Sequence, residues 1–360
     1  MNRGISCISF SHGLQEQYIY WHGRNCLNMD SGYVLCNNSA AGMQVTFYGT
    51  TLSMSCFSEY INEGFLMGNG YICVSIDDRK ESKYNKISLP ITSLKERKEL
   101  TLCKGLEEKV HSVTVRKATE AWLSTWGIFS VETDGFFINK SSRGELQMEF
   151  YGDSIMAGKS ADRARGENET DDATQENVMC SYGFQTARIL NAQANFFCVS
   201  GARLGTGYNT KTDFNVSLPP LIEMCFPSQT NDYIWDFTNF IPKIVVIDLG
   251  TNDFISISSE ESDFKEKFKL CYIRFLKKLR GKYPDSLIVI CGGTFHYGDI
   301  MDITLFNDLL REVAEESKDD RIFYYIFSHQ TEMGHPSREE AKEYALELAT
   351  YLKNVMKTIC

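Results

Sequence analysis

The hydrophobic period of this chain changes once, near residue 147, and a chain with two periods folds into two differently built bodies. Before that point, short β-branched or aromatic runs alternate with turn residues: MQVTFYGTTLSMSCF, GYICVSID, HSVTVRKATE and WGIFSVETDGFFI. Period-two runs punctuated by Gly, Asn and Asp predict an antiparallel all-β sandwich over residues 1–146. Beyond it, strand-like runs (QMEFYG, NFFCVSG, KIVVIDLG, SLIVICGG, RIFYYIF) alternate with helical stretches near 177–191, 260–282, 303–317 and 336–357. That alternation predicts an α/β domain over 147–360, a mostly parallel sheet with helices on both faces. A length of 360 residues suits two domains.

The second of these helices carries Phe264, Phe268, Tyr272, Phe275 and Leu279 at three- or four-residue spacing, with Ser258 and Glu261 as a capping box. The last has Pro336 at its start, Ser337 with Glu340 as an alternative cap, and an apolar stripe from Ala341 to Leu352. Between Ala161 and Gln175, DRARGENETDDAT has mixed charge and no apolar period, which predicts a solvated loop.

Charge narrows the partners. Lys and Arg total 37 against 47 Asp and Glu, a net −10, and an acidic field repels phosphate backbones and anionic lipid heads. No nucleic acid and no membrane partner is expected, and no apolar run approaches the roughly 20 residues that span a bilayer. The polar start MNRGISCISFSHGLQEQYIYWHG lacks the apolar core of a secretory signal, so the expected compartment is the cytoplasm. Twelve scattered cysteines without a CxxC pair read as reduced core residues. No cluster has metal-ligand spacing, so neither a metal nor a cofactor is expected.

In an open α/β sheet, ligands bind beyond the carboxyl ends of strands. Four such ends carry polar or small residues. After QMEFY stands Gly152-Asp153-Ser154, where a serine on a tight turn is either a nucleophile or a helix cap. After NFFCV stands Ser200-Gly201, continuing to Gly205 and Gly207 with no dinucleotide or P-loop fingerprint. After KIVVIDL stands Gly250-Thr251-Asn252-Asp253, an amide donor or an Asx turn. The fourth is Glu332-Met333-Gly334-His335-Pro336, at the start of the last helix. Of six histidines, His335 is preferred as a base because it faces the same sheet edge as Ser154, with Glu332 placed to orient it; His296 and His329 also lie in loops of this half.

GDSI at 152, SG at 200, GTND at 250 and ExxHP at 332 occur in the order and spacing of the SGNH, or GDSL-type, hydrolases. The phrase MEFYGDSIMAGKS, the YGFQTARIL helix, and GR at 23, FYGTTL at 47 and RKATEAW at 116 resemble carbohydrate esterase family 2, which includes acetylxylan esterases. The resemblance implies a jelly-roll sandwich preceding an SGNH domain, and a metal-independent serine esterase that removes O-acetyl groups from carbohydrates through an acyl-enzyme. It implies Ser154 as nucleophile, His335 as base, Glu332 in place of the Asp common three residues before the histidine, or a Ser-His dyad without it. The oxyanion hole implied is Ser154, Gly201 and Asn252, with Gly205 as the alternative glycine. Trp235, Phe295 and Tyr297 are candidate sugar platforms.

Two other readings stand beside this one. An SGNH esterase, lipase or thioesterase for another short acyl ester shares the motif, because the motif encodes the reaction and not the alcohol. A carbohydrate-binding protein with a vestigial catalytic site is the other. The expected partner is an acetylated carbohydrate; sequence leaves the sugar and the oligomeric state open.

Overall fold

The protein is represented by a computed structural model that describes residues 5–60, 69–78, 80–92, 96–140, 146–170, 172–205, 216–227, 233–255, 263–295, 302–332 and 334–359. The chain divides into two compact units, Met1–Gly144 with Asp171–Thr174, and Glu145–Thr170 with Gln175–Cys360.

The first unit is built from β1 (Cys7–Ser9), β2 (Ile19–His22), β3 (Cys26–Asn28), β4 (Tyr33–Leu35), β5 (Gly42–Gly49) and β6 (Leu52–Tyr60). It continues with β7 (Tyr71–Ile76), β8 (Asn85–Ser88), β9 (Lys98–Cys103), β10 (Lys109–Lys117), β11 (Ser124–Thr133) and β12 (Phe136–Ile138). One antiparallel sheet runs β3-β4-β11-β6-β9 with β1 on β11, the other β12-β5-β10-β7-β8 with β2 on β5. The alternation in β5 shows why: Met43, Val45 and Phe47 enter a core with Val113, Val115 and Trp126, while Gln44, Thr46 and Tyr48 turn outward.

This unit also buries charge. The Arg116 guanidinium takes both Glu81 carboxylate oxygens and donates to the Ala40 carbonyl at 2.9 Å, and the fully buried Lys117 ammonium donates to the carbonyls of Asn37, Glu120 and Ser124. The RKATEAW phrase therefore holds a sandwich corner together. These buried charges are paired or held by carbonyls, without which they would be strongly destabilising.

In the second unit, β13 (Gln147–Gly152), β14 (Gln193–Cys198), β17 (Ile244–Asp248), β18 (Leu287–Gly292) and β19 (Ile322–Ile326) form one parallel sheet in the order β14-β13-β17-β18-β19. A separate parallel ribbon pairs β15 (Ala202–Arg203) with β16 (Val216–Ser217). The helices are α1 (Ser154–Ala157), α2 (Tyr182–Ile189), α3 (Leu218–Leu221), α4 (Thr251–Ile255), α5 (Phe264–Lys282), α6 (Ile303–Glu316) and α7 (Arg338–Ile359). Helix α2 packs with α7 and α5 with α6, and every residue of β17 and β18 is buried, as a doubly covered parallel sheet requires.

Two helices begin later than their apolar period suggests. The residues Val178–Cys180 form a 3-10 turn, and α2 starts only after Ser181, whose hydroxyl accepts from the Phe184 N–H. At α7 the cap is Ser337 with Glu340, not Pro336: the Ser337 N–H donates to the Glu340 carboxylate at 2.8 Å. The Ser258–Glu261 box lies outside the described residues, and α5 begins at Phe264. Nine described cysteines are free thiols, and Cys26 and Cys225 are not among them, which corrects the expectation of a wholly reduced set. No helix among the described residues is long and apolar enough to cross a membrane.

Candidate active site

Register brings the motifs together. Gly152 pairs with Cys198 on one side and with Asp248 on the other, so Ser154, Ser200 and Gly250 each stand two residues beyond one aligned row. That row runs across β13 and its two neighbours, β14 and β17, the place in a 2-1-3-4-5 sheet where the strand order reverses and a crevice opens.

Asp153 turns the chain at the end of β13. Its Oδ1 accepts from the Ile155 N–H at 3.0 Å, capping α1, and so fixes Ser154 as the first helical residue. Helix α1 ends after one turn because Gly158 is left-handed, at φ 84°, and a Cβ there would meet the Asn177 carbonyl at 2.5 Å.

His335 Nε2 lies 2.7 Å from Ser154 Oγ. Its Nδ1 lies 2.6 Å from Glu169 Oε1, and its backbone N–H donates to Glu169 Oε2 at 3.0 Å. A carboxylate on Nδ1 keeps the proton there, leaving a lone pair on Nε2 to accept from the serine hydroxyl. Gly334, at φ 65°, permits this clamp: a Cβ at that position would stand 2.4 Å from Glu169 Oε2. The Phe295 ring meets the imidazole edge-on at 4.9 Å between centroids, and the buried Arg163 guanidinium donates to the His335 carbonyl.

The electrostatics follow from these contacts. Burial disfavours the imidazolium and outweighs the pull of Glu169, so His335 titrates below its ordinary value. Burial opposes charge on Glu169 too, but the His335 hydrogen bonds and charge hold its carboxyl down at about 2. At neutral pH the site therefore contains a neutral base on a charged carboxylate, as general-base chemistry needs.

Glu332, the carboxylate expected on His335, is elsewhere. Its side chain is 70% exposed with the Arg165 guanidinium at 3.8 Å, while its backbone N–H donates to Glu340. Glu169 comes instead from the charged loop expected to be merely solvated. That loop is tightly tied: Arg165 bonds Glu339 and Glu343 of α7, the Ala164 N–H donates to Glu167, and the Thr170 N–H donates to Gln175. The only sequence signal was a carboxylate in an acidic stretch shortly after the serine, which many surface loops share.

Asn252 lies in the first turn of α4, and its Nδ2 donates to Asp153 Oδ2 at 2.9 Å and to the Ala202 carbonyl at 3.1 Å. Burial, and then the Asp248 carboxyl nearby, push the Asp153 pKa well up, while its Oδ2 accepts that amide hydrogen. Asp248 is itself raised to about 6 by burial and accepts from the Tyr182 hydroxyl at 2.6 Å. Gly201, at φ 75°, forms the turn after β14; Gly205, at φ 98°, lies past β15. Trp235 is buried and so offers no open platform, Phe295 is spent on His335, and Tyr297 and His296 lie outside the described residues. His329 sits between Glu343 and Glu347, at 3.4 Å from each, and is not at the serine. Among the described residues no cluster could hold a metal ion.

A parallel 2-1-3-4-5 sheet with a serine and a histidine at its switch point, a Gly turn on one side and an Asn on the other, defines the SGNH class of α/β hydrolase. The chain belongs to the GDSL-like lipase/acylhydrolase family, which it matches over residues 148–345, and residues 21–139 match the N-terminal domain of carbohydrate esterase 2. It is 29% identical over 332 residues to the cellulase/esterase CelE of Acetivibrio thermocellus, covering 89% of this chain and 37% of that protein. It is 27% identical over 208 residues to an acetylxylan esterase/glucomannan deacetylase of Cellvibrio japonicus, covering 57% of this chain and 56% of that one. The chain thus spans between about a third and just over half of these relatives' lengths. A family two carbohydrate esterase from Clostridium thermocellum, solved with cellohexaose, superposes with a TM-score of 0.78 at 26% identity, over 94% of this chain and 99% of that one.

Proposed function

We propose that the protein is a serine esterase that removes O-acetyl groups from carbohydrates. The observation that carries the reading is the unbroken hydrogen-bond chain from Ser154 through His335 to Glu169 at the sheet's switch point. The activities of the relatives, deacetylation of xylan and glucomannan among them, support a sugar ester as substrate.

Ser154 Oγ attacks the acetyl carbonyl carbon while its proton passes to His335 Nε2. Glu169 stabilises the imidazolium so formed and keeps the ring oriented, the part taken by the acid of a Ser-His-Asp triad. The tetrahedral oxyanion is held by the Ser154 and Gly201 N–H groups and by the Asn252 amide, which shares a hydrogen now given to Asp153 or Ala202. Collapse breaks the bond to the sugar oxygen, which leaves with the proton from Nε2, and acetyl-Ser154 remains. Water then gives its proton to His335 and attacks the acyl carbon; acetate departs, and Ser154 recovers its proton.

The test is acetate release from an acetylated xylo-oligosaccharide and 4-nitrophenyl ester turnover across acyl chain lengths, each compared with Ser154→Ala. The proposal requires sugar acetates and short acyl chains to be favoured and Ser154→Ala to abolish both. Preference for long acyl chains with no release from sugar acetates would assign the site to another acyl ester.

A further inference from the structure

The first unit carries a cleft of about 390 Å³ that the ester chemistry does not use. It lies on the outward face of the β12-β5-β10-β7-β8 sheet, where residues alternating with the core row point away from it. Register makes the lining contiguous. Tyr20 of β2 stands opposite Gln44 of β5, and Thr46 of β5 stands between Ser112 of β10 and Ile138 of β12. Tyr18, Asp77, His111 and Lys140 complete the walls.

The polar groups are fixed before any ligand arrives. The Gln44 amide donates to Ser112 Oγ, the Ser112 N–H donates to Asp77 Oδ1 at 2.9 Å, and Asp77 Oδ2 lies 2.7 Å from His111 Nδ1. The other ring nitrogen of His111 is 2.7 Å from the Glu107 carbonyl, so the buried imidazole is anchored at both ends. Groups held this way lose little freedom on binding. The volume falls within the range of about 300–1,000 Å³ common for small-molecule sites.

The lining chooses the ligand's chemistry. One cation, Lys140, and one carboxylate, Asp77, cancel, which disfavours a strongly charged ligand. Amides and hydroxyls on the floor disfavour a wholly apolar one, since their polar atoms would lose solvent without a new partner. Two half-buried tyrosines supply flat apolar surface beside those hydrogen-bonding groups. A pyranose ring has both complements, a C–H face and a rim of neutral hydroxyls. We propose that this cleft is a non-catalytic site for a neutral oligosaccharide.

Affinity electrophoresis through gels containing unacetylated glucomannan or xylan tests it on the full chain. The protein is run both untreated and after phosphorylation of Ser154 by paraoxon, which obstructs the hydrolase site. Polysaccharide should retard both forms, and Tyr18→Ala/Tyr20→Ala should weaken retardation at least about tenfold in protein that still unfolds cooperatively. Thr46→Trp, which fills the cleft from a strand position, is the second variant should the tyrosine pair fail to fold, and it carries the same expectation. No retardation of the wild type, variants that migrate like it, or retardation removed by paraoxon alone would each overturn the proposal. Should paraoxon leave Ser154 unmodified, the esterase reading fails, and the untreated variants still decide the cleft.

Discussion

At His335 two effects oppose each other, burial lowering the affinity for a proton and Glu169 raising it, and burial wins. The acid limb of kcat/KM should therefore fall below the ordinary imidazole value of 6.5, with the neutral base still populated under mildly acidic conditions. Removing the carboxylate's charge takes away the raising effect, so Glu169→Gln should move that limb to still lower pH while the plateau falls; a pH–rate profile of each protein reads both. Asn252→Ala should lower kcat by about 10²- to 10³-fold, the usual cost of one oxyanion donor, as steady-state kinetics would show. The places of Ser154, Gly201, Asn252 and His335 were legible because each lies within four residues of a strand's end or a helix's start, where local sequence sets the chain's course. Glu169 was not, because its position comes from loop contacts to α7 such as those of Arg165, and these leave no periodic trace in sequence.

The short connections between elements carry as much of the site as the elements do. Gly334 combines a left-handed backbone with no room for a Cβ beside Glu169. Gly334→Ala should cost stability of about 1 kcal/mol or more through backbone strain, and should reduce activity further by displacing the Glu169 carboxylate. Comparing the melting midpoint with kcat separates the two effects. The elements themselves followed their periods closely: α6 spans Ile303–Glu316 where apolar spacing predicted 303–317. The ends strayed where a competing cap acted, as the 3-10 turn before α2 and the Ser337–Glu340 box before α7 show.

For the whole molecule, the change of period near residue 147 was enough to predict an antiparallel sandwich followed by a parallel α/β sheet, because side-chain alternation differs between the two. Buried charge was not predictable that way: Arg116, Lys117 and Glu81 look like ordinary surface residues until the fold encloses them. Glu81→Ala would strand the Arg116 guanidinium and should destabilise the first unit by about 3–5 kcal/mol, measurable by denaturant unfolding. The central claim, a Ser154-His335-Glu169 hydrolase, is tested most directly by measuring acetate release from an acetylated xylo-oligosaccharide by Ser154→Ala, Glu169→Gln and Glu332→Gln beside the wild type. Loss of activity in the first, a fall of up to about 10⁴-fold in the second and near wild-type rates in the third are predicted. Full activity in Glu169→Gln together with a large loss in Glu332→Gln would contradict it.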